Sequence, residues 1–298
     1  MHTITLALLL ACPQDFGNLG GDAARSGSSP EVGPRAATPL WTSVAGAAGS
    51  GAFQHIFDGA VYTARRFGTP TSTDPMDQIE ARDLETGALL WTAQVPWGGV
   101  PQFESAAWIA GVRDGRVFAL RTDQTFAGQA IHAFDATTGA ALWTSPIIDY
   151  VRDWNGAVFA PDGDLVISGG GSIARIDAPT GALVWSTAVI GSSIGDAGAA
   201  IFGDAVYATE ATFPSSSSIL RLDLATGALQ YVGAEAPSVT AGPNPPFCGP
   251  DGTVYWPRVS GSTPPVLLAL EDDGTSFREL WSFPMLNTRI HQHGIGPD

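Results

Sequence analysis

His291 and His293, one residue apart, form the pair in this sequence with a familiar metal-ligand spacing. A third ligand cannot be picked out beside them, and imidazoles satisfied by solvent or by core hydrogen bonds fit the same residues. Asp162-Gly163-Asp164 opens like a calcium loop but lacks the later acidic positions and the distal glutamate, so it reads as a hairpin turn. No serine, histidine and aspartate, and no cysteine with histidine, can be assembled into a nucleophile and its base. All 14 basic residues are arginine, which removes Schiff-base and P-loop lysine chemistry. No catalytic, cofactor-binding or metal-binding residue is assigned. The side chains left with binding chemistry are Arg65, Arg66, Glu104, Asp149, Arg152, Asp153, Trp154 and Asp196, joined by His291 and His293. Each falls in a segment of variable length between candidate strands.

What must position them is a repeat. Asp83-Leu-Glu-Thr-Gly87 runs on to Trp91, Asp135-Ala-Thr-Thr-Gly139 to Trp143, Asp177-Ala-Pro-Thr-Gly181 to Trp185, and Asp223-Leu-Ala-Thr-Gly227 to Tyr231. A degenerate fifth copy, Glu271-Asp-Asp-Gly274, leads to Trp281, and Trp41 precedes the series. The aromatic anchors recur every 42 to 52 residues, the period of a radial or stacked repeat architecture. The Asp can accept backbone N–H groups just beyond it, the Gly supplies a positive φ, and the aromatic on the returning strand can pack against the neighbouring repeat. That packing role, and not a stacking platform for bases or sugars, is what the regular position of the Trp series implies.

A second turn class lies upstream at Asp58-Gly59, Asp114-Gly115, Asp162-Gly163, Gly203-Asp204 and Asp251-Gly252. Apolar runs of four to six residues bounded by Gly, Pro and Asp are strand grammar, and no stretch carries a sustained helical period. Four strands per repeat follow, here termed A to D: A before the Asp-Gly turn, B after it, C before Thr-Gly, D after it. The expected fold is all-β, a propeller of four-stranded antiparallel blades.

The Asp-x-x-Thr-Gly-x-x-x-Trp phrase resembles the repeat of the pyrroloquinoline-quinone-type (PQQ-like) propellers. That family includes quinoprotein dehydrogenases and non-enzymatic outer-membrane assembly lipoproteins of the BamB type. Phe16 to Gly27 is similar to the lead-in segment of such proteins, and the resemblance covers residues 15–298 as one domain. Trp41 lies in a D-type strand without A to C strands before it, five full repeats follow, and Gly294 to Asp298 restarts the pattern of Phe247 to Asp251. Five complete blades plus partial ones, an incomplete ring truncated at its C-terminal side, are therefore expected.

Net charge is −15, which disfavours nucleic acid and anionic membrane surfaces as partners. Apolar residues at 44% and charged residues at 14% describe a globular chain and not a disordered one. Ile4 to Ala11 is too short to span a membrane and has the length of a signal-peptide core, so residues 1–14 read as an export signal. Leu9-Leu10-Ala11-Cys12 resembles a lipoprotein lipobox, with Cys12 as the residue that would be lipidated; the only membrane link expected is such an anchor. The chain is read as exported: periplasmic, tethered to an outer membrane, or extracellular. Cys248 is then a lone buried thiol.

The A–B and C–D turns repeat almost verbatim, whereas the B–C and D–A connections vary and open onto one face. Varied loops on a rigid scaffold concentrate binding residues, so that face is the expected functional surface, for a protein or small ligand. The leading reading is a non-catalytic exported propeller acting as a binding or scaffold module, with no cofactor. The alternative is a dehydrogenase dependent on PQQ and calcium, or a fragment of one. The resemblance implies adjacent cysteines near the cofactor for such enzymes, and this chain has none. An ectodomain of a larger sensor is a third possibility.

Overall fold

Asp58 and Gly59, and again Asp114 and Gly115, all take positive φ (45, 72, 47 and 70°), the mirror-image turn whose twist matches two antiparallel strands. From such turns a computed structural model builds five sheets. It describes residues 21–26, 41, 54–65, 77–96, 104–123, 128–149, 157–189, 198–212, 216–233, 236–237, 245–258 and 265–285. Blade 1 comprises β1 (His55–Phe57), β2 (Ala60–Arg65), β3 (Gln78–Asp83) and β4 (Leu89–Gln94). Blade 2 comprises β5 (Glu104–Arg113), β6 (Arg116–Asp123), β7 (His132–Asp135) and β8 (Ala141–Thr144). Blade 3 holds β9 (Ala157–Phe159), β10 (Leu165–Ser168), β11 (Ser172–Ile176) and β12 (Leu183–Ala188). Blade 4 holds β13 (Ala200–Phe202), β14 (Ala205–Thr212), β15 (Ser216–Asp223) and β16 (Leu229–Val232), with β17 (Ala236–Pro237) added beside β15. Blade 5 holds β18 (Phe247–Cys248), β19 (Val254–Arg258), β20 (Val266–Asp272) and β21 (Phe277–Pro284).

Every blade is an antiparallel meander in chain order. The first strands of successive blades touch one another, β1 with β5, β5 with β9, β9 with β13 and β13 with β18, so they lie innermost on an arc. Apolar side chains from facing sheets fill the gaps between blades. Phe118 and Leu120 of blade 2 meet Leu165, Ile167 and Ile176 of blade 3, for example, and Ile219 and Tyr207 of blade 4 meet Trp256, Leu268 and Leu270 of blade 5.

The repeated phrase does its work at these gaps. In the first copy Asp83 Oδ1 accepts the Thr86 backbone N–H at 2.7 Å and the Thr86 hydroxyl at 2.6 Å, and the Gly87 N–H donates to the Asp83 carbonyl at 2.9 Å. The same set recurs at Asp135, Asp177 and Asp223. A β-bulge then sits at one place in all five C–D pairs, between Ala81 and Arg82 and at the equivalent steps. The extra residue on strand D re-aims the aromatic that follows towards the next blade.

There the indole finds a seat. Trp41, Trp91, Trp143 and Trp185 donate Nε1–H to the carbonyls of Leu84, Ala136, Ala178 and Leu224, at 2.9, 2.8, 3.0 and 3.0 Å. Each acceptor is the residue after the repeat Asp. The ring lies flat against the repeat Gly: a Cβ at Gly139 or Gly227 would come within 2.6 or 2.5 Å of the indole, and Gly87 and Gly181 are as tight.

The fifth copy breaks the pattern. Its turn is two residues longer, since Glu271 pairs with Arg278 and Ala269 with Trp281. Phe277 therefore stands where the other copies have Gly. Tyr231, the one non-indole anchor, meets it edge-on with centroids 5.0 Å apart. Its hydroxyl donates to the carboxylate of Asp272, the residue at the position of Leu84 or Leu224.

Gly21–Ser26 adds a strap across the inner strands. The Ile201 N–H donates to the Ala23 carbonyl at 2.7 Å and the Cys248 N–H to the Ala24 carbonyl at 2.8 Å, so the segment ties blade 4 to blade 5. Arg25 is wholly buried there, at φ 56°, against Gly198 and Pro245, and burial lowers its guanidinium to about 10. Cys248 is fully buried, as expected, and burial pushes its thiol far above the usual range.

Candidate binding face

The two loop classes that vary in length do meet at one end of the blades. In blade 2 the connection after β8 pairs with the connection before β7: Gln129 and Ile148 exchange backbone hydrogen bonds at 2.8 and 2.7 Å. The next residue, Asp149, reaches blade 3, where a Cβ on Gly171 between β10 and β11 would come within 2.8 Å of its Oδ2. In blade 4, β17 after strand D pairs with Ser216 and Ser217 at the start of strand C. At the opposite end the two short turn classes are joined instead. The Leu84 N–H donates to the Gly59 carbonyl, Ala136 to Gly115, and Leu224 to Asp204, at 2.8 to 2.9 Å.

Charged side chains stand on the loop end of blades 1 and 2. Arg65, at the end of β2, donates to Glu80 at 2.9 Å; Arg82, nearer the turn end of β3, where it also bonds the Gly87 carbonyl, donates to the other Glu80 oxygen at 3.0 Å. Burial alone would raise the Glu80 carboxyl, but hydrogen bonds from Arg65, Arg82 and Gln78 together hold it below its ordinary value. Arg121, at the loop end of β6, is buried; it donates to the Val95 carbonyl at 3.0 Å and the Asp77 carbonyl at 3.2 Å, with the Asp77 carboxylate 3.6 Å away. These bonds cross from blade 2 to blade 1 and tie the two strand ends together. His132, at the start of β7, contacts the Thr144 hydroxyl at 3.0 Å; burial and then the charge of Arg121 lower its pKa.

Of the expected face residues, Arg65 and Asp149 are on this face. Glu104 is not in a loop: it is the first residue of β5 and pairs with Asp123, because the A and B strands of blade 2 extend further than their apolar cores. Glu210 of blade 4 similarly lies within β14 and pairs with Ser218. Arg66, Arg152, Asp153, Trp154, Asp196, His291, His293 and the lipidation candidate Cys12 lie outside the described residues.

The sequence reading passed over Asp77, Glu80, Arg82, Arg121 and His132. Charges at alternate positions of one strand, Glu80 and Arg82, were the available signal. Asp162 and Asp164, read as turn residues, have a further role: both carboxylates bind Arg175, whose Nη1 donates to Leu224 of blade 4 at 2.9 Å.

Among the described residues no group of three or more His, Cys, Asp or Glu side chains could hold a metal ion. The described cysteine is the buried thiol of Cys248. No helix among the described residues is long and apolar enough to cross a membrane.

The sequence model for outer membrane protein assembly factor BamB matches residues 75–229 and 127–260. The chain belongs to this PQQ-like, BamB-type propeller family. The matched range takes in β3 to β19, and with them Asp77, Arg121 and Asp149 of the loop face. No curated protein matches the chain.

Among solved structures the BamB-type chain is similar to BamB from Moraxella catarrhalis, with 19% identity, a TM-score of 0.48, and coverage of 76% of this chain and 61% of that one. A europium-containing methanol dehydrogenase aligns at 11% identity and TM-score 0.51, covering 78% and 61%. A chain of the mitotic checkpoint complex aligns at 13% and 0.52, covering 78% and 64%. At these identities the likeness is one of fold. The chain spans less than two thirds of each of these proteins.

Proposed function

We propose that this chain is a non-catalytic, exported propeller that binds protein partners through the face formed by its B–C and D–A connections. The observation that carries this reading is the division of labour between the two ends of the blades. One end is built from near-identical turns whose Asp, Thr and Gly are consumed by the fold, while the other gathers variable segments around fixed charged groups such as Arg65, Arg121 and Asp149. Membership of a family described by an outer-membrane protein assembly factor supports a scaffold role and residence beyond the inner membrane.

Site-specific photocrosslinking tests it. A crosslinker at position 149 or 65, in chain produced in a bacterium with its own leader, is expected to trap envelope proteins. One at Thr86 or Thr226, on the turn end, is expected to trap none. Equal yields from both ends would overturn the assignment of the face. Saturable one-to-one binding of PQQ with calcium, accompanied by dye-linked alcohol oxidation, would overturn the non-catalytic reading.

A further inference from the structure

One register near the loop end of strand B carries a charged residue in four blades. Arg65, Arg121, Glu210 and Arg258 each stand four residues beyond the valine (Val61, Val117, Val206 or Val254) that pairs with the residue before the repeat acid. In blades 1 and 2 the chain itself supplies a carboxylate to the arginine. Glu80 takes Arg65 at 2.9 Å, and the Asp77 carboxylate lies 3.6 Å from Arg121, which also donates to two carbonyls. Arg258, partly exposed at the end of β19, has no such group. Among the described residues it alone of the arginines makes no hydrogen bond or ion pair.

Two further donors lie beneath it. Val266, paired with Arg258, packs into the gap between blades 4 and 5 together with Val254 and Trp256, so Arg258 leaves its strand on that side. From blade 4, Tyr207 and Ile219 fill the same gap, and Thr209, two residues on from Tyr207 and paired with Ile219, faces into it. Trp256 and Thr209 are each 2% exposed, and neither the indole Nε1–H nor the Thr209 hydroxyl has a hydrogen-bond partner. Counted from Val206 and Val254, Trp256 lies two residues towards the loop face, Thr209 three and Arg258 four. The donors thus rise through one gap from the interior to the face.

The carboxylates nearby are spent or turned away. Asp272, at the turn end of the gap, already takes two tyrosine hydroxyls and Arg221, and Asp22 of the strap takes the Ser26 N–H. Glu210 is adjacent to Thr209 on the strand and so lies on the opposite sheet face.

We infer that the loop-side mouth of the gap between blades 4 and 5 is a carboxylate-binding site, in which Arg258 pairs with the anion while the Thr209 hydroxyl and the Trp256 Nε1–H donate to it. Charge and the equivalent positions name the ligand class. One guanidinium balances one carboxylate, whereas a phosphate group brings about two negative charges to a chain already at −15. At the two equivalent arginines the nearby anion is a carboxylate of the chain. Here it comes from outside, as an acidic side chain or terminus of a docked partner or as a small free acid. The site goes beyond the proposed partner face, because it needs only the carboxylate.

The readout is the indole N–H signal of Trp256 in the 298-residue chain labelled with 15N-tryptophan, assigned by its loss in Trp256→Phe. The probes are sodium acetate and a blocked tripeptide with a central glutamate. Sodium chloride at equal ionic strength and the glutamine tripeptide are the controls. A saturable shift with acetate or the glutamate peptide, and none with the controls, is expected. A response to both marks a free acid as a ligand, and a response to the peptide alone marks a partner's side chain. Arg258→Met is expected to abolish saturation without lowering the melting temperature, since Arg258 makes no bond within the fold. Thr209→Val should weaken binding about threefold to tenfold. Arg258→Lys, which keeps the charge and loses the fork, should bind more weakly than the parent and better than Arg258→Met. The inference is overturned if no probe gives a saturable shift, if the shift persists in Arg258→Met or is reproduced by chloride, or if inorganic phosphate binds more tightly than acetate. No envelope protein enters the titration, so its failure and a failure of the crosslinking test are read separately.

Discussion

The Trp185 indole lies against Gly227 and donates Nε1–H to the Leu224 carbonyl at 3.0 Å, so one side chain of blade 3 reads both the backbone shape and the backbone polarity of blade 4. The contact uses no side chain of the receiving turn. Its demands are a residue without Cβ and a carbonyl not already spent within the turn, and the Asp-x-x-Thr-Gly sequence meets both by satisfying its own N–H groups internally.

A methyl group separates the two jobs of that glycine. Gly227 has φ +71° and an occupied seat, whereas Gly203 in the same blade has φ +60° and open space beyond it. Gly203→Ala is expected to cost only the left-handed strain, about 1–2 kcal/mol. Gly227→Ala adds overpacking against the indole, for about 2–4 kcal/mol in all. Chemical denaturation of the two variants measures the difference.

Restoring the common anchor in the fourth blade should harm the protein. Tyr231→Trp puts an indole where Phe277 already fills the glycine position and removes the hydroxyl bonded to Asp272. A loss of about 1–3 kcal/mol is expected from overpacking. In a Phe277→Gly background the same change should cost less, and a double-mutant cycle reads that coupling.

Asp272 makes the blade 4–5 contact sensitive to acid. Burial would raise its carboxyl, but the hydroxyls of Tyr207 and Tyr231, the Gly274 N–H and Arg221 outweigh burial and hold it below the usual value of about 3.9. A group depressed in the folded state contributes fully above its unfolded pKa and loses that contribution as pH falls through the folded one. Melting temperature is therefore expected to drop below about pH 4, and less steeply in Asp272→Asn. Asp273 next to it, held down to about 2 mainly by the Thr275 hydroxyl and N–H, should keep its charge longer.

Cys248 reports on the strap. Its N–H is bonded to Ala24 and its thiol is buried, so in a Cys12→Ser background the folded protein should resist thiol reagents. Gly198→Ala would press a methyl group into Arg25. Faster labelling of Cys248 in that variant, without global unfolding, is the expected result.

Much of this was legible in the residues themselves. Asp, Thr, Gly and an aromatic at fixed spacing state a turn and a packing contact, because turn chemistry is local and the blade period is set by chain length. The two turn classes, the strand count and the role of the Trp series follow from that alone. What the tertiary structure decided is everything that depends on which residues of different blades meet. The acceptor of each indole is a backbone carbonyl about forty residues on, which leaves no mark in side-chain identity. The pairing of Tyr231 with Phe277 and Asp272 came from a two-residue lengthening of one turn, visible in sequence only as a degenerate copy. Arg121 and Asp77 carry no turn or packing signal in the sequence, and only the stacked sheets place them across a blade gap. Local conformation is written in neighbouring residues, whereas contacts between blades are fixed only when the sheets stack and the same face of each repeat meets a different neighbour.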